Sequence, residues 1–177
     1  MSQPTLSIVV PMYNEEDNIE FFYTRITQAL DKIGETYEVV CINDGSRDRT
    51  LPLLLDLNKR DPRIKVIDLS RNFGKETALS AGIDYATGEA VIPIDADLQD
   101  PPEVIPQLIA KWREGYDVVY ATRMEREGET WVKKWTAQMF YRVLTKITQI
   151  QIPKDTGDFR LMSRPVVEAL KELREQH

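Results

Sequence analysis

Two aspartates separated by one residue, Asp95 and Asp97, are the side chains of this 177-residue chain best suited to hold a metal ion. They directly follow an apolar run at residues 90–94, and Gln99 adds an amide oxygen two positions further on. Carboxylate and amide oxygens are the ligands that Mg²⁺ and Mn²⁺ prefer, and these ions keep positions open for substrate phosphates. The pattern predicts a Mg²⁺ or Mn²⁺ site that receives a phosphate-bearing ligand.

The residue types needed for other catalytic chemistry are scarce. The only histidine is His177, at the last position, and the only cysteine is Cys41, inside the apolar run 37–42. A Ser-His-Asp triad, a histidine-based zinc site and a Cys-His pair are therefore disfavoured. Cys41 is predicted to be a buried apolar side chain. Carboxylates remain the main candidates for chemistry.

The glycine-rich loops that often bind phosphates are missing. No Gly-x-Gly-x-x-Gly follows the first predicted strand, and the sequence contains no Gly-x-x-x-x-Gly-Lys. A bound diphosphate would need another source of positive charge, which favours a metal at Asp95-Ala96-Asp97.

Composition limits the class of protein. The chain is 42% hydrophobic and 29% charged, which is typical of a globular domain. Its formal net charge of −6 disfavours a nucleic-acid partner, because proteins that bind nucleic acids usually have a basic surface. No stretch has the pattern of a signal peptide or the roughly 20 apolar residues of a membrane span. The chain as given is therefore expected to be soluble and to suit a reducing compartment.

Short apolar runs alternate with helical patterns, which predicts an α/β fold: a mainly parallel twisted sheet with helices on both faces, similar to a Rossmann fold. Strands are predicted at residues 6–10, 37–42, 64–69, 90–94 and 117–121. Helices are predicted from Asn14 or Asp17 to about 33, from the loop at 43–46 through 57, from 74 to about 86 with Gly88 as its end, and from Pro101 to about 114. Pro11 is expected to end the first strand, and Pro93 to make the fourth irregular.

Three polar clusters follow predicted strands. They are Pro11-Met12-Tyr13-Asn14-Glu15, Asn43-Asp44-Gly45-Ser46 and Asp95-Ala96-Asp97-Leu98-Gln99-Asp100. Ligands of open α/β sheets bind beyond the carboxyl ends of the strands. We therefore expect the three clusters to meet in one crevice.

A fourth motif, Asp155-Thr156-Gly157-Asp158-Phe159-Arg160, completes an ordered set, and Pro101-Pro102 extends the third. Over about residues 5 to 165 this set resembles family 2 glycosyltransferases. More narrowly, it resembles the polyprenyl-phosphate branch, which includes dolichyl-phosphate mannose synthases and bactoprenol glucosyltransferases. The resemblance implies one GT-A catalytic domain over residues 1–177, an inverting reaction and Mg²⁺ or Mn²⁺. The implied donor is a nucleotide-diphosphate sugar, UDP-glucose before GDP-mannose, and the implied acceptor is a lipid phosphate at the cytoplasmic face of a membrane.

The resemblance also implies residue roles at the nucleoside end. Pro11, Tyr13 and Glu15 are expected to contact the nucleoside, and Asp44 to accept a hydrogen bond from a base N–H. Many relatives have Asp-Asp-Gly-Ser at the second motif. Here Asn43 keeps acceptor capacity but lacks the charge.

At the phosphate end, the resemblance implies that Asp95 and Asp97 hold the metal together with Gln99. Asp95 is also expected near the ribose, and Asp97 is counted with the catalytic residues. Arg123, just beyond the fifth strand, is expected to meet the diphosphate, and Lys75 to reach the base or a phosphate.

Asp158 resembles the residue that acts as general base in the family, and Asp155 is the alternative. Either side chain could instead cap a turn. A phosphate monoester has a second pKa of about 6, so at neutral pH it is mostly a dianion that needs no deprotonation. Our hypothesis is that Asp158 orients the acceptor or a neighbouring cation such as Arg160, which is counted with the substrate-binding residues.

Residues 131–149 are predicted to form a helix with four basic side chains and no acidic one. Two interpretations stay open: a helix that packs on the core with a solvated cationic face, or a surface that contacts anionic lipid headgroups. The chain ends within a predicted helix, whereas relatives in the polyprenyl-phosphate branch continue into acceptor-site and membrane segments.

Other functions also stay open. One is a family 2 transferase with a soluble saccharide or protein acceptor, and another is a non-catalytic nucleotide-sugar binding module. A third is a nucleotidyltransferase, which usually has a glycine-rich N-terminal loop that this chain lacks. A homo-oligomer is left open as well.

Overall fold

The structure is a computed structural model that describes residues 4–122 and 156–175; of residues 122, 156–158 and 173–175 it describes the backbone alone. The strands are β1 (Leu6–Met12), β2 (Tyr37–Asn43), β3 (Ile64–Asp68), β4 (Ala90–Pro93), β5 (Val118–Thr122) and β6 (Thr156–Ser163). The helices are α1 (Ile19–Asp31), α2 (Thr50–Arg60), α3 (Lys75–Tyr85), α4 (Ile105–Arg113) and α5 (Arg164–Glu175), with a 3₁₀ turn at Pro102–Val104 before α4. The helix predicted at 131–149 lies outside the described residues.

The sheet has six strands in the order β3-β2-β1-β4-β6-β5. Alternate residues of each central strand point to opposite faces. Ile8 of β1 packs with α1, α2 and α4 on one face, and Val9 packs with α3 and α5 on the other. The predicted fold class, a mainly parallel sheet with helices on both faces, is confirmed.

Strand β6 was not predicted. It runs antiparallel to both of its neighbours, β4 and β5, and lies between them in the sheet. Its residues include Gly157, Asp158 and Arg160, which break the apolar run expected of a buried strand. Phe159 and Leu161 are nevertheless buried in the core.

Two prolines lie within strands, where each avoids the loss of a ladder bond. Pro11 does not end β1 as expected, because the strand continues to Met12. Alternate residues of a strand bond to opposite neighbours. Met12 bonds toward β2, since its carbonyl oxygen accepts from the Asp44 N–H. The nitrogen of Pro11, the residue before it, therefore faces β4. The pairing of β1 with β4 ends at Val9 and Pro93, so no ladder bond is lost at Pro11. Pro93 likewise faces β6, beyond the last pair at Val91.

The predicted helix ends need three corrections. The residue that precedes α1 is Asn18 instead of Asn14 or Asp17, because the Asn14 side chain bonds to the loop before α2. Helix α2 starts late, at Thr50, and continues to Arg60. Gly88 does not end α3; a Cβ on it would lie 2.6 Å from the Ser7 backbone nitrogen, so this glycine is needed for close packing on β1.

Cys41 is buried as predicted, with 1% of its surface exposed. Burial raises the pKa of its thiol to about 12. The side chain therefore behaves as a small apolar group in the core. Over the part of the chain that is described, we find no helix of the length and apolar character that crossing a bilayer requires.

Candidate functional site

A cleft of about 330 Å³ opens at the carboxyl ends of the parallel strands. Strands β2 and β3 lie on one side of β1 and β4 lies on the other, so the order of the strands in the sheet reverses between β1 and β4. This is the switch point at which open α/β sheets bind ligands. The lining residues come from all three predicted clusters, from the segment before α3 and from its first residue: Pro11, Met12, Tyr13, Glu15, Asp44, Asn72, Gly74, Lys75, Asp95, Ala96 and Asp97.

The first two clusters are joined by hydrogen bonds between their loops. The Asn14 backbone N–H donates to Ser46 Oγ at 3.0 Å, and the Arg47 N–H donates to Asn14 Oδ1 at 2.9 Å. The Glu15 N–H donates to Thr50 Oγ1 at 2.8 Å. Asn14 reaches this position with a φ of 55°, a conformation that asparagine tolerates better than most residues. These hydrogen bonds hold the two loops together on the side of the cleft that carries Tyr13 and Glu15.

Asp44 holds the segment that leads into α3. The residue is 2% exposed, and its carboxylate accepts hydrogen bonds from the backbone N–H groups of Phe73, at 2.8 Å, and Gly74, at 2.9 Å. Gly45 allows this close approach, because a Cβ there would lie 2.3 Å from the Arg71 carbonyl carbon. Asp44 therefore lines the cleft and also fixes the position of Lys75, the first residue of α3.

Asp95 and Asp97 lie on the turn after β4. Leu98 has a φ of 52°, and the Gln99 N–H donates to Asp97 Oδ1 at 3.1 Å. Asp95 is half-buried and pairs with Lys75, whose Nζ lies 2.9 Å from each of its two carboxylate oxygens. Asp97 is exposed.

These residues fit a hard divalent cation by their chemistry. Within residues 4–122 and 156–175, no group of three or more Asp, Glu, His or Cys side chains comes together as a metal site. At this turn Asp95 and Asp97 would supply two charged ligands and Gln99 an amide oxygen. Mg²⁺ is typically held by one or two carboxylates while phosphates and water complete its shell.

The remaining predicted site residues belong to the fourth motif and its surroundings. Arg160 lies on β6 opposite Tyr120, and its Nε is buried without a hydrogen-bond partner in the described part of the chain. Asp158 is in the backbone of β6, but its side chain lies outside the described residues. Arg123 and Asp155 also lie outside them.

Sequence reasoning missed the part that the segment before α3 plays in the site. Asn72 and Gly74 line the cleft beside Lys75. Gly74 has a φ of 94°, which favours glycine, and it directly precedes the helix. A glycine before a helix is a weak pattern in the sequence, and the cleft lining together with the contact to Asp44 shows that this segment belongs to the site.

Comparison with known proteins assigns the chain to a family. The sequence profile of glycosyl transferase family 2 matches residues 7–171. The chain belongs to glycosyl transferase family 2. It is 63% identical to an uncharacterised glycosyltransferase of Synechocystis sp., covering 97% of this chain and 54% of that protein. It is 48% identical to the bactoprenol glucosyl transferase of Shigella phage SfX, covering 97% of this chain and 56% of that protein. The chain thus spans about half the length of the curated relatives it matches.

Solved GT-A glycosyltransferases share the fold of this family 2 member. A mannosyltransferase of Pyrobaculum calidifontis in complex with GDP-Man and Mn²⁺ is 25% identical, with a TM-score of 0.65 over 96% of this chain and 47% of that one. The glucosyl-3-phosphoglycerate synthase of Mycobacterium tuberculosis in complex with Mn²⁺, UDP and phosphoglyceric acid is 22% identical, with a TM-score of 0.64 over 92% of this chain and 57% of that one. The second likeness concerns the fold alone.

The structure gives a physical reason for Asn43 in this family 2 chain. Its Nδ2 donates to Asp68 Oδ1 at 2.7 Å, and its Oδ1 accepts from the Ser46 N–H at 3.3 Å. Asn43 is 2% exposed. An aspartate at this position would place a second carboxylate against Asp68, where no proton donor separates the two charges.

We therefore predict that Asn43→Asp destabilises the chain by about 1–3 kcal/mol at pH 7, since it places a carboxylate at a buried position and removes the donor to Asp68. The facing carboxylates raise the pKa of one of them above its unfolded value, so the loss should shrink as the pH falls toward about 4. Urea unfolding at both pH values measures this. The Asn43→Asp/Asp68→Asn double variant restores an amide–carboxylate pair and should recover most of the stability. Equal losses at both pH values would contradict the explanation.

Proposed function

We propose that this chain binds a nucleotide-diphosphate sugar in the cleft and transfers the hexose, with inversion, to a polyprenyl phosphate. The single observation that carries the proposal is the arrangement of the cleft. Tyr13 and Asp44 line the same cleft as Lys75, Asp95 and Asp97, at the switch point of the sheet. An aromatic ring and a buried carboxylate suit a base, whereas carboxylates that bind a metal suit a diphosphate.

The size of the cleft supports a donor of this class. Its volume of about 330 Å³ lies within the range of small-molecule sites, which runs from about 300 to 1,000 Å³. UDP-glucose is favoured over GDP-mannose because the bactoprenol glucosyl transferases at 47–48% identity carry glucose in their names.

Mg²⁺ or Mn²⁺ would be held by Asp95 and Asp97 with Gln99, and when bound it would neutralise charge on the departing diphosphate. The protein's own residues hold the rest of the donor. Pro11, Tyr13 and Glu15 would position the nucleoside. A buried Asp44 would accept a base N–H with the lone pairs that Phe73 and Gly74 leave free.

The acceptor is proposed from the relatives' names and from charge. A polyprenyl phosphate is a dianion at neutral pH, and the basic segment 131–149 would suit such a headgroup at the cytoplasmic face of a membrane. Arg123 would meet the donor diphosphate, and Arg160 the acceptor. A family 2 transferase with a soluble saccharide acceptor and a non-catalytic nucleotide-sugar module are the alternatives.

Donor binding is tested by replacing Asp97. We expect Asp97→Ala to weaken Mn²⁺-dependent UDP binding at least roughly tenfold, because loss of a metal ligand or its support typically costs that much. Isothermal titration calorimetry with Mn²⁺ and with EDTA separates the metal-dependent part. Asp56→Ala is the matched control, since Asp56 is an exposed aspartate on α2 whose loss changes the net charge equally. Unchanged Mn²⁺-dependent binding in Asp97→Ala would sink the metal assignment.

A donor and acceptor screen tests the reaction. The chain is incubated with Mn²⁺ and UDP-glucose, GDP-mannose or related sugars, with and without a polyprenyl phosphate, and both sugar hydrolysis and lipid-linked product are scored. The proposal expects UDP-glucose to be used best and the lipid phosphate to accept the sugar. Product on a soluble saccharide alone would favour the first alternative. Donor binding without hydrolysis or transfer would favour the non-catalytic module.

Asp158 is tested in the same assay. If Asp158 orients the acceptor, Asp158→Asn should retain near-normal turnover with a phosphate acceptor, because the dianion needs no general base. A fall of several orders of magnitude would instead favour proton abstraction by this carboxylate. Asp155→Asn is the companion variant, since the two acids flank Thr156 and Gly157 in the sequence.

A further inference from the structure

The ion pair between Lys75 and Asp95 occupies the carboxylate that the proposed metal would need. Lys75 Nζ lies 2.9 Å from both oxygens of Asp95, so it contacts the whole carboxylate face. The two side chains are 44% and 39% exposed. Partly exposed pairs of this kind contribute little to folding stability. The pair is therefore easily exchanged for a stronger partner.

Lys75 lies at an unfavourable end of its helix. It is the first residue of α3, where the helix dipole repels a positive charge. Glu76, the next residue, is the charge that suits this end. A positive charge at this position is thus better explained by the nearby anions of the cleft than by any stabilisation of helix α3.

Hydrogen bonds hold the backbone before Lys75, and its ammonium group lies at the end of a flexible stem. Asp44 accepts from the N–H groups of Phe73 and Gly74, directly before Lys75. Farther along α3, a Cβ on Gly82 would lie 2.4 Å from side-chain atoms of Val9 and Ile42, so the helix is packed closely on the sheet. Only the flexible four-carbon stem of the lysine is left to move the charge.

We propose that Lys75 is a built-in counter-cation of Asp95 that competes with the divalent metal in the free protein and moves to the donor diphosphate when the metal binds Asp95. The inference rests on the proposed function of the cleft as a metal and nucleotide site. Metal and nucleotide then assist each other: the metal releases Lys75, and the diphosphate gives the released ammonium a new partner. Such coupling is reciprocal by thermodynamic necessity.

Lys75→Met tests this, because it removes the charge and keeps most of the apolar stem. We expect Mn²⁺ alone to bind about two- to fivefold more tightly to Lys75→Met than to the unaltered chain, which corresponds to losing a partly exposed ion pair. UDP in the presence of Mn²⁺ should bind more weakly, so the factor by which each ligand tightens the other should fall. Electron paramagnetic resonance of free Mn²⁺ measures the first quantity, and calorimetry measures the second.

Two further variants control the experiment. Lys59→Met removes a lysine that pairs with Asp56 at the same distance of 2.9 Å, on α2, and should change neither affinity. Lys75→Arg keeps a cation beside Asp95 and should not show the tighter Mn²⁺ binding. Thermal unfolding in EDTA checks that each variant is folded.

The outcomes separate this inference from the proposed function. Equal or weaker Mn²⁺ binding by folded Lys75→Met overturns the role of Lys75 and leaves a structural ion pair. Tighter Mn²⁺ binding in Lys75→Met with no UDP binding in any variant supports the competition but contradicts the nucleotide-sugar function. Absence of Mn²⁺ binding in every variant contradicts both.

Discussion

The pairing of strand β1 with β2 and β4 fixes where the polar clusters of the cleft emerge. Nearly every residue of β1 is buried, so a one-residue slip would exchange its two apolar rows between the faces of the sheet. The register with β2 sets Asn43 opposite Met12 and brings Asp44 beside the first cluster. The shorter register with β4 ends at Pro93, and the chain is then free to turn at Asp95. The position of the cleft therefore follows from the pairing of the strands.

Asp44 connects this framework to the chemistry of the cleft. Burial of an ionised carboxylate is costly unless hydrogen bonds compensate it, and the N–H groups of Phe73 and Gly74 provide two. A carboxylate has about four acceptor positions, so two remain for a ligand. The expected contact with a base and the observed hold on the segment before Lys75 are therefore compatible. In the proposed complex, Asp44 would orient the nucleoside as well as hold the segment before α3.

The sequence predicts the first five strands within two residues at each end, because each is a short apolar run bounded by turn residues. The sequence also predicts that Asp95 and the two earlier clusters lie at one edge of the sheet, since the carboxyl ends of parallel strands share an edge. Strand β6 escapes prediction because its place between β4 and β5 depends on antiparallel pairing that no local pattern encodes. The bonds from Asp44 to Gly74 and from Lys75 to Asp95 join segments 30 and 20 residues apart, so only the folded register reveals them.

The choice of lysine at position 75 is itself informative. An arginine would offer a planar fork that matches both oxygens of Asp95 and holds them in one geometry, whereas lysine is a compact charge on a flexible stem. A fork suits a permanent contact, and a flexible point charge suits one that must be given up. In a chain of net charge −6, an anionic donor is attracted only by local cations. In the proposed site, a lysine that shields Asp95 before a metal binds, and faces the diphosphate afterwards, would meet both needs with one positive charge.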